Sequence, residues 1–254
     1  MKVSQVGVQL FTVKDHCKTS ADLAATAKKI HDIGYRAVQV SAIGDIAPEE
    51  VAKIMKDAGL AIGATHEPGA MILDQPERVI DKLRRMGCNF TAYPYLQGAE
   101  LASAEEFQRF IRKLDAAAAK FEAAGLQLGY HNHELEFYKA DGVTVLDYIY
   151  QHCSHIVGEI DTYWIQYGGG DCVEWCRKLR GRLPVMHIKD YKMTLERKPM
   201  YCEIGQGTLP FDRIIGAAEE SGCRWFFVEQ DSCPGDPFES LRISYDFISK
   251  NLVR

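Results

Sequence analysis

Four short stretches carry the side chains best suited to chemistry: His131-Asn132-His133-Glu134-Leu135-Glu136, Glu159-Ile160-Asp161, His187-Ile188-Lys189-Asp190 and Glu229-Gln230-Asp231. Thr65-His66-Glu67 makes a fifth, and Gln9 and Gln39 place single amides further upstream. Imidazoles and carboxylates are the groups that hold divalent cations and move protons near neutral pH. Glu136, Asp161, His187 and Glu229 form a carboxylate-rich donor set with one imidazole. Such a set suits Mn2+ first, then Mg2+ or Co2+; Zn2+ comes last, because a structural zinc would recruit thiolates. The nearest two of the four, Glu136 and Asp161, are 25 residues apart, so only a fold can bring the set together.

The chemistry that fits is removal of a proton from a carbon beside a ketone. A bound ion would polarise the carbonyl and stabilise the developing enediolate by several kcal/mol. Glu229 or Glu136 is the expected base, with His131 or His133 as an imidazole poised near neutral pH. Lys189, two residues past His187 on the same strand face, is expected to hold a substrate oxygen or to protonate it. Return of the proton to the opposite face gives epimerisation, and return to the neighbouring carbon gives isomerisation. If a β-substituent leaves instead, the outcome is dehydration or glycoside cleavage. His66, Glu67 and Gln9 are expected to bind substrate hydroxyls, and Trp164 to offer an apolar face to a sugar.

These groups recur at fixed places in a repeated pattern. Short apolar or β-branched runs predict strands at Val3–Leu10, Ala37–Ser41, Ala61–His66, Cys88–Tyr95, Leu126–His133, Ile156–Asp161, Leu183–Lys189 and Trp225–Gln230. Helical periodicity lies between them. Its clearest case runs from about Ala104 to Ala124, with Ser103 and Glu106 as a capping box and Gly125 as the stop. Further helices are predicted near 47–58, 76–86, 144–152, 172–180, 211–221 and 238–251. Eight strands alternating with helices require parallel pairing and predict an α/β fold, a single (β/α)8 TIM barrel spanning 1–254 as one domain. Active sites of such barrels lie at the C-terminal strand ends. Five of the eight predicted strands end there in acid, base or metal-competent side chains, whose burial without partners would cost several kcal/mol each.

Length and composition agree. The 254 residues, 46% apolar and 26% charged, fit one large soluble domain. Thirty basic against 35 acidic residues leave a net charge of −5, which argues against a nucleic-acid partner. No apolar run is long enough to span a bilayer, and the chain starts in a strand-like pattern rather than a signal-peptide core. The eight scattered cysteines read as reduced thiols of a cytoplasmic protein.

The same stretches resemble the xylose isomerase-like TIM-barrel superfamily, in its sugar phosphate isomerase/epimerase branch. The resemblance rests on Gly7-Val8-Gln9-Leu10-Phe11-Thr12-Val13, Gly129-Tyr130-His131-Asn132-His133-Glu134-Leu135-Glu136-Phe137, Glu159-Ile160-Asp161-Thr162-Tyr163-Trp164, His187-Ile188-Lys189-Asp190, Gly205-Gln206-Gly207-Thr208-Leu209-Pro210-Phe211 and Val228-Glu229-Gln230-Asp231. It implies one divalent metal held by Asp161, His187, Glu229 and a ligand from strand five. In the ketose 3-epimerases of the superfamily that ligand is a glutamate inside the strand. Counted from Asn132, the matching position here is Gly129, so Glu136 is the candidate, with His131 or His133 in reserve. The implied function is a metal-dependent isomerase or epimerase of a small sugar or cyclitol, with homo-oligomers compatible with the branch. The alternative is a lyase of the same fold, an inosose dehydratase or a 3-keto-glycoside-eliminating enzyme. An endonuclease IV-like repair enzyme or a catalytically silent sugar-binding module is weaker still, the former because of the negative charge.

Overall fold

A computed structural model describes residues 1–254, the side chain of Ala99 excepted. Eight parallel strands close into a barrel: β1 (Val6–Gln9), β2 (Ala37–Val40), β3 (Ala61–His66), β4 (Phe90–Tyr93), β5 (Gln127–His131), β6 (Val157–Asp161), β7 (Val185–Ile188) and β8 (Trp225–Val228). Each strand pairs with its sequence neighbours, and β1 closes the ring on β8 with Gly7 opposite Phe227. The strands read as apolar runs because they are buried on both faces, against the barrel interior and against the helices outside.

The outer layer contains α1 (Ser20–Ile33), α2 (Pro48–Asp57), α3 (Gly69–Asp74), α4 (Pro76–Met86), α5 (Ala104–Ala123), α6 (Val145–His152), α7 (Thr162–Tyr167), α8 (Cys172–Lys178), α9 (Phe211–Glu220) and α10 (Pro237–Asn251). At the head of α5, Ser103 Oγ accepts the Glu106 N–H at 3.1 Å. Only half of the predicted capping box forms, because the Glu106 carboxylate turns to Arg109 instead. Two short helices, α3 and α7, and two small hairpins (139–144 and 190–202) were not predicted; all four sit at the C-terminal mouth or in its loops. The predicted strand Ala61–His66 is matched residue for residue; the other seven are too long by one to four residues, six of them because they run on into residues that leave the ladder to build that mouth.

Two apolar layers hold the barrel. One packs sheet against helices, with Leu23, Ile30, Leu83, Leu114, Phe121, Ile149 and Ile214 fully or nearly fully buried. The other fills the barrel interior with Ala37, Ala64, Phe90, Ala92, Val185 and Phe227. All eight cysteines are free. Among the described residues no helix is long and apolar enough to cross a membrane.

Candidate metal and proton-transfer site

Above the interior layer the barrel lining turns polar, and the turn is abrupt at β5. An added Cβ at Gly129 would lie 2.5 Å from Phe90 Cζ, so the filler ring occupies the space a longer side chain would need. His131, two residues on and therefore on the same face, is the first inward side chain of β5 clear of that ring. This gives a physical reason for glycine where the 3-epimerases carry glutamate. Gly129→Ala is expected to cost about 1–3 kcal/mol through overpacking, read by denaturant unfolding. Phe90→Leu in the same chain should recover part of that loss, and an alanine that costs nothing would refute the packing argument.

Asp161 ends β6 and caps α7, its Oδ1 accepting the Trp164 N–H at 3.1 Å. Asn132 fixes its backbone, accepting the Asp161 N–H at 2.9 Å. His187 comes from β7 and Glu229 follows β8. One donor atom from each of His131, Asp161, His187 and Glu229 lies within 4.8 Å of the other three. Lys189 is buried beside them, its Nζ 3.1 Å from Asp161 Oδ2, 3.0 Å from Glu229 Oε2 and 2.8 Å from Asp231 Oδ1. Thr162 fixes this lysine by accepting its N–H (2.9 Å) and donating to its carbonyl (2.8 Å).

Glu136 lies outside the group. A 3-10 turn at Leu135–Phe137 folds it back, so that Tyr130 Oη donates to Oε1 at 2.6 Å and the His133 N–H to Oε2 at 3.0 Å. Its carboxylate ties the loop after β5 to the barrel wall, and His131 stands in the β5 place within the donor group. Glu67 is also turned aside, paired with Lys82 at 2.8 Å, though it still lines the cavity. Gln9 supports His66, with 3.4 Å between its Nε2 and the ring Nδ1. Trp164 packs against His133, ring centroids 5.1 Å apart, and its buried Nε1 has no hydrogen-bond partner.

Glu159 is the residue the site reading overlooked. It is fully buried, pairs with His66 Nε2, and accepts from Gln39 Nε2 at 2.7 Å. The signal was present: Glu159 is two residues before Asp161, hence on the same strand face. His66, His131, Glu159 and His187 make a second convergent group that shares both of its last-named imidazole positions, 131 and 187, with the first.

The electrostatics separate the roles. Burial alone would raise Glu159 and Glu229, but His66 and His187 around the former, and Lys189 and His187 around the latter, hold both below the usual carboxylate range. Burial pushes Asp161 up, and Glu229 adds to it. His187, which burial would lower, is held up at about 10 by Glu159 and Glu229. His131 and His133 go the other way: burial drives His131 far down, and burial with Lys189 takes His133 to about 3. Neither imidazole is therefore poised near neutrality as expected. Both stay uncharged, which makes them better ligands or hydrogen-bond partners than bases.

The donor group fits a divalent cation. Asp161 Oδ2 and His131 Nδ1 are buried with no hydrogen-bond partner. His187 Nδ1 faces Glu229 Oε2 at 2.9 Å and Asp161 Oδ2 at 3.8 Å. A ring nitrogen aimed at two anionic oxygens needs a positive charge between them, either a proton or a metal.

Asp190 organises the Gly205–Phe211 turn. Its carboxylate accepts the N–H groups of Gly205 and Gly207 at 2.9 Å each, and a Cβ at Gly207 would collide with that carboxylate. These bonds make the turn a matter of loop geometry. A cavity of about 830 Å3 opens at the donor group, lined by His66, His131, His133, Lys189, Glu229 and Asp231 among others. The rest of its lining mixes Ile43, Ile46, Val51, Met71 and Met86 with the charged Asp45, Arg78, Asp81, Lys82 and Arg85.

A family profile described as xylose isomerase-like TIM barrel matches residues 27–250. No curated protein sequence matches the chain. Among solved structures, a sugar phosphate isomerase/epimerase from Parabacteroides distasonis ATCC 8503 superposes with a TM-score of 0.83 at 20% identity, covering 98% of this chain and 95% of that one. An L-ribulose 3-epimerase gives 0.76 at 17% identity, covering 99% and 95%. A probable 3-DHS dehydratase from Bacillus anthracis gives 0.75 at 13% identity, covering 99% and 100%. At these identities the likeness speaks for the fold.

Proposed function

This chain belongs to the xylose isomerase-like TIM-barrel family, and we propose that it is a divalent-metal-dependent isomerase or epimerase of a small keto sugar or cyclitol. The observation that carries the reading is the convergence of His131, Asp161, His187 and Glu229 within 4.8 Å, with Lys189 alongside, at the floor of a cavity. A divalent ion, Mn2+ in the first instance, supplies charge stabilisation for an enediolate when bound there. The protein's own groups do the rest. Glu229 lines the cavity, and its Oε2 engages both His187 and Lys189, which leaves Oε1 as the oxygen to accept the substrate proton. Lys189, a buried ammonium against three carboxylates, holds the substrate oxygen on which charge builds. His133 and Glu67 face the cavity and bind hydroxyls, His66 lines it with both ring nitrogens already bonded, and Trp164 packs against His133 with its Nε1 unpartnered.

A lyase is the second reading, and apolar residues of the cavity favour it. Ile43, Ile46, Val51, Met71 and Met86 in its lining would cover an apolar aglycone or other leaving substituent, worth about 25 cal/mol per Å2 buried.

One assay separates the two readings. The chain is stripped with chelator, reloaded with Mn2+ and incubated with a panel of keto sugars and inososes in D2O. Deuterium uptake beside the carbonyl without elimination supports the isomerase or epimerase. Release of water or alcohol with an enone product supports the lyase. A stoichiometrically loaded protein that does neither across the panel would refute the enediolate chemistry.

A further inference from the structure

We infer that Gln39 is a positioning residue: with Glu159 behind it, it fixes which ring nitrogen of His187 is presented to the cation, and that nitrogen is Nδ1. The inference rests on the proposed metal site. The Glu159 carboxylate stands against the His66 Nε2 and the Gln39 amide and serves both as an acceptor. The amide nitrogen is accordingly the Gln39 atom that lies 2.7 Å from Glu159 Oε1. The carbonyl of Thr65, 3.5 Å from that same nitrogen, is a second acceptor and reinforces the orientation.

With Nε2 of Gln39 committed to two acceptors, its Oε1 must accept. That oxygen lies 2.5 Å from His187 Nε2, so the imidazole places a proton on Nε2 and leaves Nδ1 for the cation, facing Asp161 and Glu229. The same rules answer for the second donor group. His66 Nε2 donates to Glu159, and its Nδ1 accepts from Gln9, whose own oxygen is taken by the Phe11 N–H at 3.3 Å. Both nitrogens of His66 are thus in use, as is His187 Nε2. His66 and Glu159 therefore serve as the support that orients Gln39, and the cation belongs with His131, Asp161, His187 and Glu229.

The test uses the full chain. Long-range 1H–15N correlation on the zinc-loaded protein reads the tautomer of His187 directly. Nε2 protonated with Nδ1 carrying the metal is expected, and Nδ1 protonated with Nε2 carrying it overturns the inference. This measurement needs no variant. In parallel, Mn2+ titration of chelator-stripped Gln39→Met should show affinity weakened by about 10- to 100-fold. A purely structural Gln39 would lower the melting temperature but leave both the nitrogen and the affinity unchanged, and that result also overturns it. If the unaltered chain binds no stoichiometric divalent ion, the inference falls together with the metal reading. If the unaltered chain binds but Gln39→Met binds equally well, the inference falls alone.

Discussion

Asp161→Asn is expected to lose divalent-cation retention and to slow exchange of the substrate's α-proton by about a thousandfold, roughly 4 kcal/mol, with no loss of fold stability. The substitution separates the two oxygens of one carboxylate. Oδ1 caps α7 through the Trp164 N–H, and an amide oxygen can keep that bond. Oδ2 points at Lys189 and His187 Nδ1 and has no aligned hydrogen bond, so it is the atom set aside for a ligand. Burial and Glu229 raise Asp161 in the folded state, so above the unfolded carboxylate range its charge costs stability rather than adding it. Removing that charge should leave the chelated protein as stable as before or more so, because Lys189 keeps Glu229 and Asp231. Calorimetric Mn2+ titration, exchange kinetics and thermal melts of one preparation decide the matter. A variant that still binds Mn2+ with parental affinity would remove Asp161 from the donor group.

Much of this arrangement was legible before any coordinates. Strands buried on both faces announce themselves as apolar runs, and helices that end at Gly34 or Gly125 have visible stops, so the eightfold alternation could be counted. Asp161 and His187 close or nearly close their strands and Glu229 follows β8 directly, so the barrel's own geometry places all three at the mouth. The β5 contribution could not be found in that way. Strand parity passes from Gly129 to His131, but beyond Asn132 the chain leaves the ladder for a 3-10 turn, and distance along the sequence no longer says where a side chain points. Glu136 is recaptured by Tyr130 and His133, bonds that no periodicity reports. Charge states were equally hidden. His131 and His133 look like neutral-pH bases by type, but they become uncharged imidazoles because the fold buries them, the latter beside an ammonium. Glu159 was a failure of a different kind: the period-two rule that applies to Asp161 also covers it, and Gln39 enters through Glu159.

Lys189→Met should do the opposite of Asp161→Asn, lowering the stability of the metal-free protein strongly while tightening its hold on a divalent ion. The ammonium is the shared counter-charge of Asp161, Glu229 and Asp231, all within 3.1 Å of Nζ. Methionine fills most of the same volume but leaves three carboxylates at the barrel mouth with only His187 to balance them. Breaking a buried ion pair from one side costs about 3–5 kcal/mol, and at roughly 2–4 °C per kcal/mol for a chain this long the chelated variant should melt some 10 °C below its parent. A divalent cation supplies the missing charge without competition from the lysine, so Mn2+ at a hundred times its dissociation constant should return about 2.7 kcal/mol. Rescue of the fold should not rescue turnover. With no group to hold the substrate oxygen, exchange in the Mn2+-loaded variant should remain about 100- to 10,000-fold slow. Melts with and without Mn2+, set beside the exchange rate, test the claim as a whole. A Lys189→Met chain as stable as its parent in chelator would show that the three carboxylates are not charged together, and the electrostatic account of the site would have to be abandoned.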